Sequence, residues 1–167
     1  MFFVRIDNVA EVEPDVGIWR IKKGLQRPLR RALNATKPVI RKEIRRRYTY
    51  KGAIPIRTHV SQWSGQLNIS GARNKAERFK LKEPRRGSYL TVNFLRGKAT
   101  VFKKGFYWAA QGTYFERISK PRFPVRSIKG PSIAEMAGHA PTPVTAIEAA
   151  LFRNLEKHLP QYFEGLV

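Results

Sequence analysis

The order of patterns along the chain predicts an α+β fold, with a long, kinked amphipathic helix near the N-terminus and a C-terminal helix packed on an antiparallel sheet of about four to six strands. Three observations predict it. A basic stretch with apolar residues at helical spacing occupies residues 16–48, short β-branched and aromatic runs between glycine turns fill 54–128, and a second helical period occupies 130–160. Helices do not alternate with strands, which argues against a parallel doubly wound sheet. At 167 residues the chain has the size of one domain, 1–167, and can bury a core without cross-links or metal.

Residues 1–15 open with the apolar run Met1 to Ile6, which is too short for the hydrophobic region of a secretion signal and is followed by acidic residues. They are read as an N-terminal strand and arm. Pro14, followed by Val16, Ile18, Ile21 and Leu25, predicts a helix starting near residue 14. Pro28 has no N–H to give the carbonyl of Gly24, so a break or kink is expected there, with a second helical stretch beyond it and a further kink at Pro38. In that stretch Leu29, Ala32, Leu33, Thr36, Val39, Ile40 and Ile44 form one apolar stripe, and most of the arginines and lysines fall on the other side.

Ile54 to Val60 alternates enough for a strand or an extended connection, and Gly65 to Gly71 puts Leu67 and Ile69 on one face of a short half-buried strand. Lys75 to Lys82 brings Phe79 and Leu81 to one side, before a polar turn at Pro84 to Gly87. The sharpest local signal is Tyr89 to Leu95 and Lys98 to Phe102 joined by Arg96-Gly97, the pattern of a β-hairpin. Gly105 to Ala110 and Thr113 to Ile118 read as two extended pieces around Gly112, and Val125 to Ile128 as a last short strand. Thr142-Pro143 then opens a helix through Val144, Ile147, Leu151, Leu155 and His158 that Leu159-Pro160 closes.

Composition narrows the function classes. Hydrophobic residues make up 42% and charged residues 27%, which is apolar enough to fold. There is no cysteine, which removes disulfides, thiolate metal sites and thiol nucleophiles together and suits a reducing cytoplasm. Charges interrupt every hydrophobic segment before it reaches the roughly 18 residues of a membrane span, so no membrane partner is expected. The formal net charge is +21, and it is unevenly placed. Between Arg20 and Lys51 the only acid is Glu43, whereas Asp7, Glu11, Glu13 and Asp15 lie near the N-terminus and Glu135, Glu148, Glu156 and Glu164 beyond Gly130. A cationic middle is flanked by mildly acidic ends.

Little in the sequence suits catalysis. His59, His139 and His158 are isolated, without the spacing of a metal site, and both aspartates lie near the N-terminus. Glu77, Glu83 and Glu116 sit among lysines and arginines; Glu77 with Lys80, or Glu116 with Lys120, makes only half of a nuclease-like acid-and-lysine pair. No phosphate-binding glycine loop and no serine nucleophile motif occurs, so no enzyme activity and no cofactor is expected. The cations Arg27, Arg30, Arg31, Lys37, Arg41, Lys42, Arg45, Arg46 and Arg47 are the candidate contact face. They read as a solvated helix face, as a surface for DNA phosphates without base readout, or as a surface for an acidic protein. Trp63, Tyr107 and Trp108 have the chemistry to stack on bases, although aromatics in strands more often belong to the core.

Read in order, Arg31 to Thr36, Ser70-Gly71 leading to Arg78-Phe79, the hairpin, Gly105-Phe106 leading to Phe115-Glu-Arg117, and Lys129-Gly-Pro-Ser-Ile133 with Met136 resemble the prophage minor tail protein Z family over about residues 25–160. The segment carrying Gly130, Pro131, Ser132, Ile133 and Met136 is the most specific part. Physically it reads as a turn, an N-cap serine and a one-turn apolar face. The resemblance implies a virion protein made in the host cytoplasm that completes a long phage tail at its head-proximal end, where head and tail join. It implies self-association in a ring, with six copies matching tail symmetry, and contact with neighbouring tail and neck proteins and with phage DNA. It brings no catalytic residues. The first fifteen residues fit the family pattern least well. The competing expectation is a nucleic-acid-binding protein without sequence specificity, acting through the basic helix from Pro28 to Tyr48.

Overall fold

The computed structural model describes residues 2–6, 18–61, 64–83, 89–119, 122–138 and 143–160. In chain order the elements are β1 (Phe2–Ile6), α1 (Ile18–Arg47), β2 (Arg57–Val60), β3 (Gly65–Ile69), β4 (Lys80–Lys82), β5 (Leu90–Leu95), β6 (Lys98–Phe102), β7 (Gly105–Trp108), β8 (Thr113–Arg117), β9 (Val125–Ser127), α2 (Ile133–Gly138) and α3 (Pro143–His158). The α+β class holds. The single sheet of four to six strands does not: among the described residues the strands form three antiparallel sheets of three strands, ordered β1-β3-β2, β4-β5-β6 and β7-β8-β9. The expected helix start near residue 14, the turn at 84–87 and Trp63 and His139 lie outside the described residues.

The prolines do not divide the first helix, as the sequence led us to expect. Pro28 and Pro38 both sit inside the continuous helix α1. An interior proline costs roughly 3 kcal/mol because it removes a hydrogen bond and crowds the preceding turn. Leu29, Leu33, Ile40 and Ile44 are each at most 1% exposed, and burying such side chains contributes about 1.5–3 kcal/mol apiece. The stripe therefore outweighs the cost of the two prolines. Ala32 and Thr36 are buried with it, while Val39 is half-buried.

The contacts group the chain into two compact units. The first takes α1 as far as Lys42, together with residues 55–70 and the segment from Ala137. Its sheet has β3 in the centre, with Val4 opposite Leu67 on one side and Thr58 opposite Leu67 on the other. Gly65, Leu67 and Ile69 are the buried positions of β3. Gly65 is small for a reason, since a Cβ there would stand 2.6 Å from Cδ1 of Leu33, so α1 lies directly on this strand. Asn34 of α1 accepts a hydrogen bond from the Thr58 hydroxyl at 2.9 Å. Buried Thr36 donates to the Ala32 carbonyl at 2.9 Å and accepts from the Asn154 amide at 3.1 Å, which ties α3 to α1. Ile147, Leu151 and Leu155 are the buried stripe of α3.

The second unit comprises residues 43–54 and 71–136. The hairpin forms as expected: β5 and β6 are joined through Arg96 and Gly97, and Gly97 has φ +79°, a left-handed conformation that glycine adopts without strain. The end of α1 is laid against this hairpin, with Thr49 N–H donating to Phe94 O at 3.1 Å and Arg96 N–H donating to Arg47 O at 2.7 Å. Phe79, fully buried, centres an aromatic cluster with Tyr50 and Phe94 at centroid distances of 5.4 and 5.1 Å. In the third sheet β8 is central, pairing with β7 through Phe106 opposite Phe115 and with β9 through Glu116 opposite Arg126.

Candidate functional site

The basic residues of α1 are placed by the rule that buries its apolar stripe: whatever lies off the stripe faces outward. In the first unit Arg27, Arg30, Arg31 and Lys42 are exposed, and Lys37 and Arg41 are half-buried. Burial, and secondarily the nearby Arg41 guanidinium, hold the Lys37 ammonium below its ordinary pKa. In the second unit Arg45 and Arg46 are exposed and Arg47 is half-buried. Glu43 stands 3.7 Å from Arg46, whose side chain remains 74% exposed. Such a surface pair is worth at most about 1 kcal/mol and leaves Arg46 available to a stronger anion.

Sequence reasoning missed Arg96. Its Nε donates to the Arg45 carbonyl at 2.9 Å and its own N–H to the Arg47 carbonyl, so a hairpin-turn arginine joins the cations at the end of α1. It also satisfies carbonyls that a helix end leaves without donors, and a cation is favoured at that end. The one signal in the sequence was an arginine at the exposed turn of the hairpin.

The segment from Gly130 to Met136 folds as a capping unit. Ser132 Oγ accepts from Glu135 N–H at 3.1 Å, and Glu135 Oε2 accepts from Ser132 N–H at 2.6 Å, a reciprocal capping box at the start of α2. Ile133 and Met136 are buried, forming the apolar face expected of them. Glu135 was not singled out in the sequence, although serine followed three residues later by glutamate is the signature of this box. Asn74, 5% exposed, clamps the turn: its carbonyl accepts from Gly130 N–H at 2.8 Å and its amide donates to the Pro131 carbonyl at 2.8 Å. Its Oδ1 accepts from Tyr50 Oη at 3.1 Å and Arg78 Nη1 at 3.3 Å. Gly130 is not among the glycines with a left-handed backbone; a Cβ there would meet Phe79 and Phe94, so close approach rather than turn geometry requires it.

The carboxylates weighed for catalysis have other partners. Glu77 Oε1 accepts from Tyr114 N–H at 3.1 Å, Glu83 Oε1 accepts from Tyr114 Oη at 2.5 Å, and Glu116 Oε2 lies 3.0 Å from Arg126 Nη2. Burial, the hydrogen bond to Glu83 and the nearby carboxylates push the Tyr114 hydroxyl far above its ordinary pKa. No group of three or more His, Cys, Asp or Glu able to hold a metal occurs among the described residues. His59 is exposed and His158 half-buried. The usual core assignment for strand aromatics fails at Tyr107, which is 53% exposed, and at Trp108, which is half-buried.

No helix among the described residues is long and apolar enough to cross a membrane. No protein-family model, no curated protein and no solved structure matches the chain.

Proposed function

We propose that the chain is a structural protein of a long-tailed bacteriophage virion that completes the tail at its head-proximal end and is needed for head–tail joining. In this reading it acts as a ring of identical subunits, six by tail symmetry, around the path of the DNA. Its neighbours are other tail and neck proteins, and it neither catalyses a reaction nor carries a cofactor.

The observation that carries the binding part of this reading is the outward placement of the α1 cations. Arg27, Arg30, Arg31, Lys42, Arg45 and Arg46 are all exposed, while the buried stripe of the same helix is apolar. A row of arginines held on a helix makes phosphate contacts that do not depend on base sequence. The sequence segregation of acidic ends and basic middle supports contacts between copies, and heterologous contacts of that kind close into a ring where the rotation permits. The Gly130 to Met136 capping unit supports the tail resemblance as a structural motif without catalytic content.

Light scattering and native mass at moderate salt, with and without DNA, test the proposal. A discrete ring without DNA supports it. A monomer that changes mass only when DNA is added overturns it in favour of a nucleic-acid binder acting through the basic helix. Within the phage that encodes the protein, reversing Arg45, Arg46 and Arg47 to glutamate should block infectious particles while leaving the fold intact. A normal yield from that variant would remove these three residues from any functional role.

A further inference from the structure

One face of the third sheet is only partly covered and is rich in rings. Strand register puts Phe106, Trp108, Thr113, Phe115, Arg117, Val125 and Ser127 on it, because directly opposed residues of an antiparallel pair share a face. Tyr107, Tyr114, Glu116 and Arg126 take the other. Of the first set only Thr113 is buried; Phe106, Trp108, Phe115 and Val125 are half-buried and Arg117 is exposed. The rings are ordered against one another, with Trp108 edge-on to Phe115 at 5.1 Å and the Arg117 guanidinium 5.3 Å from the centre of Phe106.

Two adjoining hollows share Phe106 and Arg117. One, of about 240 Å³, is lined by Phe106, Trp108, Arg117, Arg122, Phe123 and Val125. The other, of about 470 Å³, adds Lys103, Lys104 and Ser119. Phe123, 58% exposed, is held at the rim by the Ile118 N–H bond to Pro124 O at 3.2 Å. Lys104 is held there too, its carbonyl accepting from Arg117 N–H at 3.3 Å. The smaller hollow falls below the roughly 300–1,000 Å³ of a typical small-molecule site and suits one planar ring at a time. Among the described residues no carboxylate lines either hollow; Glu116 of β8 is on the opposite face and paired with Arg126.

We propose that this face of the β7-β8-β9 sheet binds single-stranded nucleic acid, with Trp108 and Phe123 stacking on unpaired bases and Lys103, Lys104, Arg117 and Arg122 holding the phosphates. Charge complementarity selects the ligand. Four cations and several accessible rings, with no acid among the described lining residues, suit a chain that alternates planar bases with negative phosphates. A duplex hides its base faces and gains nothing from the rings. The candidate arginines of α1, by contrast, lie in residues 26–47 of the helix, which contain no aromatic residue, and would treat duplex and single strand alike. The inference does not rest on the tail reading, since it follows from this sheet alone.

The test is fluorescence anisotropy of the full chain with three labelled probes of about 12 nucleotides, a length within the site sizes of known single-strand modules. The probes are oligo(dT), an abasic strand of equal length and a duplex. The wild type should prefer oligo(dT) over the abasic strand by at least about fivefold, the lower end of what one stacked base contributes. Trp108→Ala should abolish that preference while duplex binding stays unchanged. Phe123→Ala removes an exposed ring, so it carries the test if Trp108→Ala fails to fold. The triple variant Arg45→Glu, Arg46→Glu, Arg47→Glu should weaken all three probes and leave the preference intact. Equal binding of oligo(dT) and abasic strand by the wild type, or a preference that survives both ring variants, overturns the proposal. A change of native mass in either ring variant without nucleic acid also overturns it, because the face is then a contact between copies. A chain that is monomeric yet keeps the oligo(dT) preference removes the ring and leaves this site standing.

Discussion

Replacing Gly130 with alanine adds one methyl group at a crowded backbone position of the second unit. The new Cβ would stand 2.6 Å from Cε2 of Phe79 and 2.7 Å from Cδ1 and Cε1 of Phe94. Carbon atoms in good contact lie about 3.5–4.0 Å apart, so both rings are roughly 1 Å too close. Phe79 has no route of retreat, being fully buried with Tyr50 and Phe94 against it. The backbone of Gly130 cannot withdraw without lengthening its hydrogen bond to the Asn74 carbonyl. Overpacking of this kind costs about 1–3 kcal/mol and a lost hydrogen bond about 1 kcal/mol. The stiffer unfolded chain returns about 0.4–1 kcal/mol, leaving a net loss of about 1–3.5 kcal/mol. In urea denaturation, with a slope of about 2 kcal/mol/M, the midpoint should fall by about 0.5–1.7 M. Phe94 is half-buried, so Phe94→Leu should recover part of the loss in the double variant, a coupling that independent sites would not show. A loss below about 0.5 kcal/mol, or strict additivity in the double variant, would refute the claim that ring contact is why glycine stands here.

Asn74→Ala removes the amide that holds Pro131 and the acceptor shared by Tyr50 and Arg78, so it should cost about 2–4 kcal/mol in urea; Asn74→Asp, which keeps the acceptor, should cost less. Ser132→Ala removes one half of the capping box and should cost about 0.5–2 kcal/mol, read from the same midpoint shift. The raised pKa of Tyr114 means that folding favours its neutral form. Its contribution is therefore complete below the unfolded pKa of about 10 and is lost as pH rises above that value, so the urea midpoint should fall in strong alkali. Tyr114→Phe should flatten that alkaline limb at a cost of about 1 kcal/mol near neutrality, since Glu83 is exposed and water replaces the lost donor. An unchanged alkaline limb in Tyr114→Phe would assign the loss to another group.

Local features were legible where the chemistry is local. The hairpin was readable because β-branched runs flank Arg96-Gly97, and β3 because Leu67 and Ile69 alternate with polar residues between two glycines. The buried stripe of α1 could be drawn almost residue by residue, since helical period and burial coincide there. What failed depends on partners distant in sequence. Nothing between residues 54 and 128 records that β3 takes β1 as one neighbour, or that the strands divide into three sheets. The break or kink expected at Pro28 and the kink expected at Pro38 follow from backbone chemistry alone, which omits the burial of Leu29, Leu33, Ile40 and Ile44. Arg96 joined the candidate site only through its hydrogen bonds to the Arg45 and Arg47 carbonyls, one from its side chain and one from its main chain. Alternation likewise told which of Phe106, Tyr107 and Trp108 share a face, but not that the face of Phe106 and Trp108 is left open.

The two cationic surfaces differ in kind, and the difference bears on how the charge is used. The cations at residues 27–47 of α1 offer charge in a stretch without aromatic residues and would suit an anion recognised by its phosphates; the third sheet offers charge with rings and would suit unpaired bases. Neither is explained by contacts between copies alone. Each copy has 33 lysines and arginines against 12 carboxylates, so pairing every carboxylate with a neighbour's cation still leaves +21 per copy. The proposed ring would concentrate that excess, and self-repulsion would then oppose the assembly that the segregated charges favour. Added salt relieves the repulsion, because at about 0.1 M charges more than about 10 Å apart are largely screened, while the close pairs between copies lose less. The same salt weakens phosphate binding steeply, by a slope near −0.9 per contact. Assembly without nucleic acid and binding to it should therefore respond to salt in opposite directions, and a polyanion in the centre of a ring would supply at low salt what screening supplies at high salt.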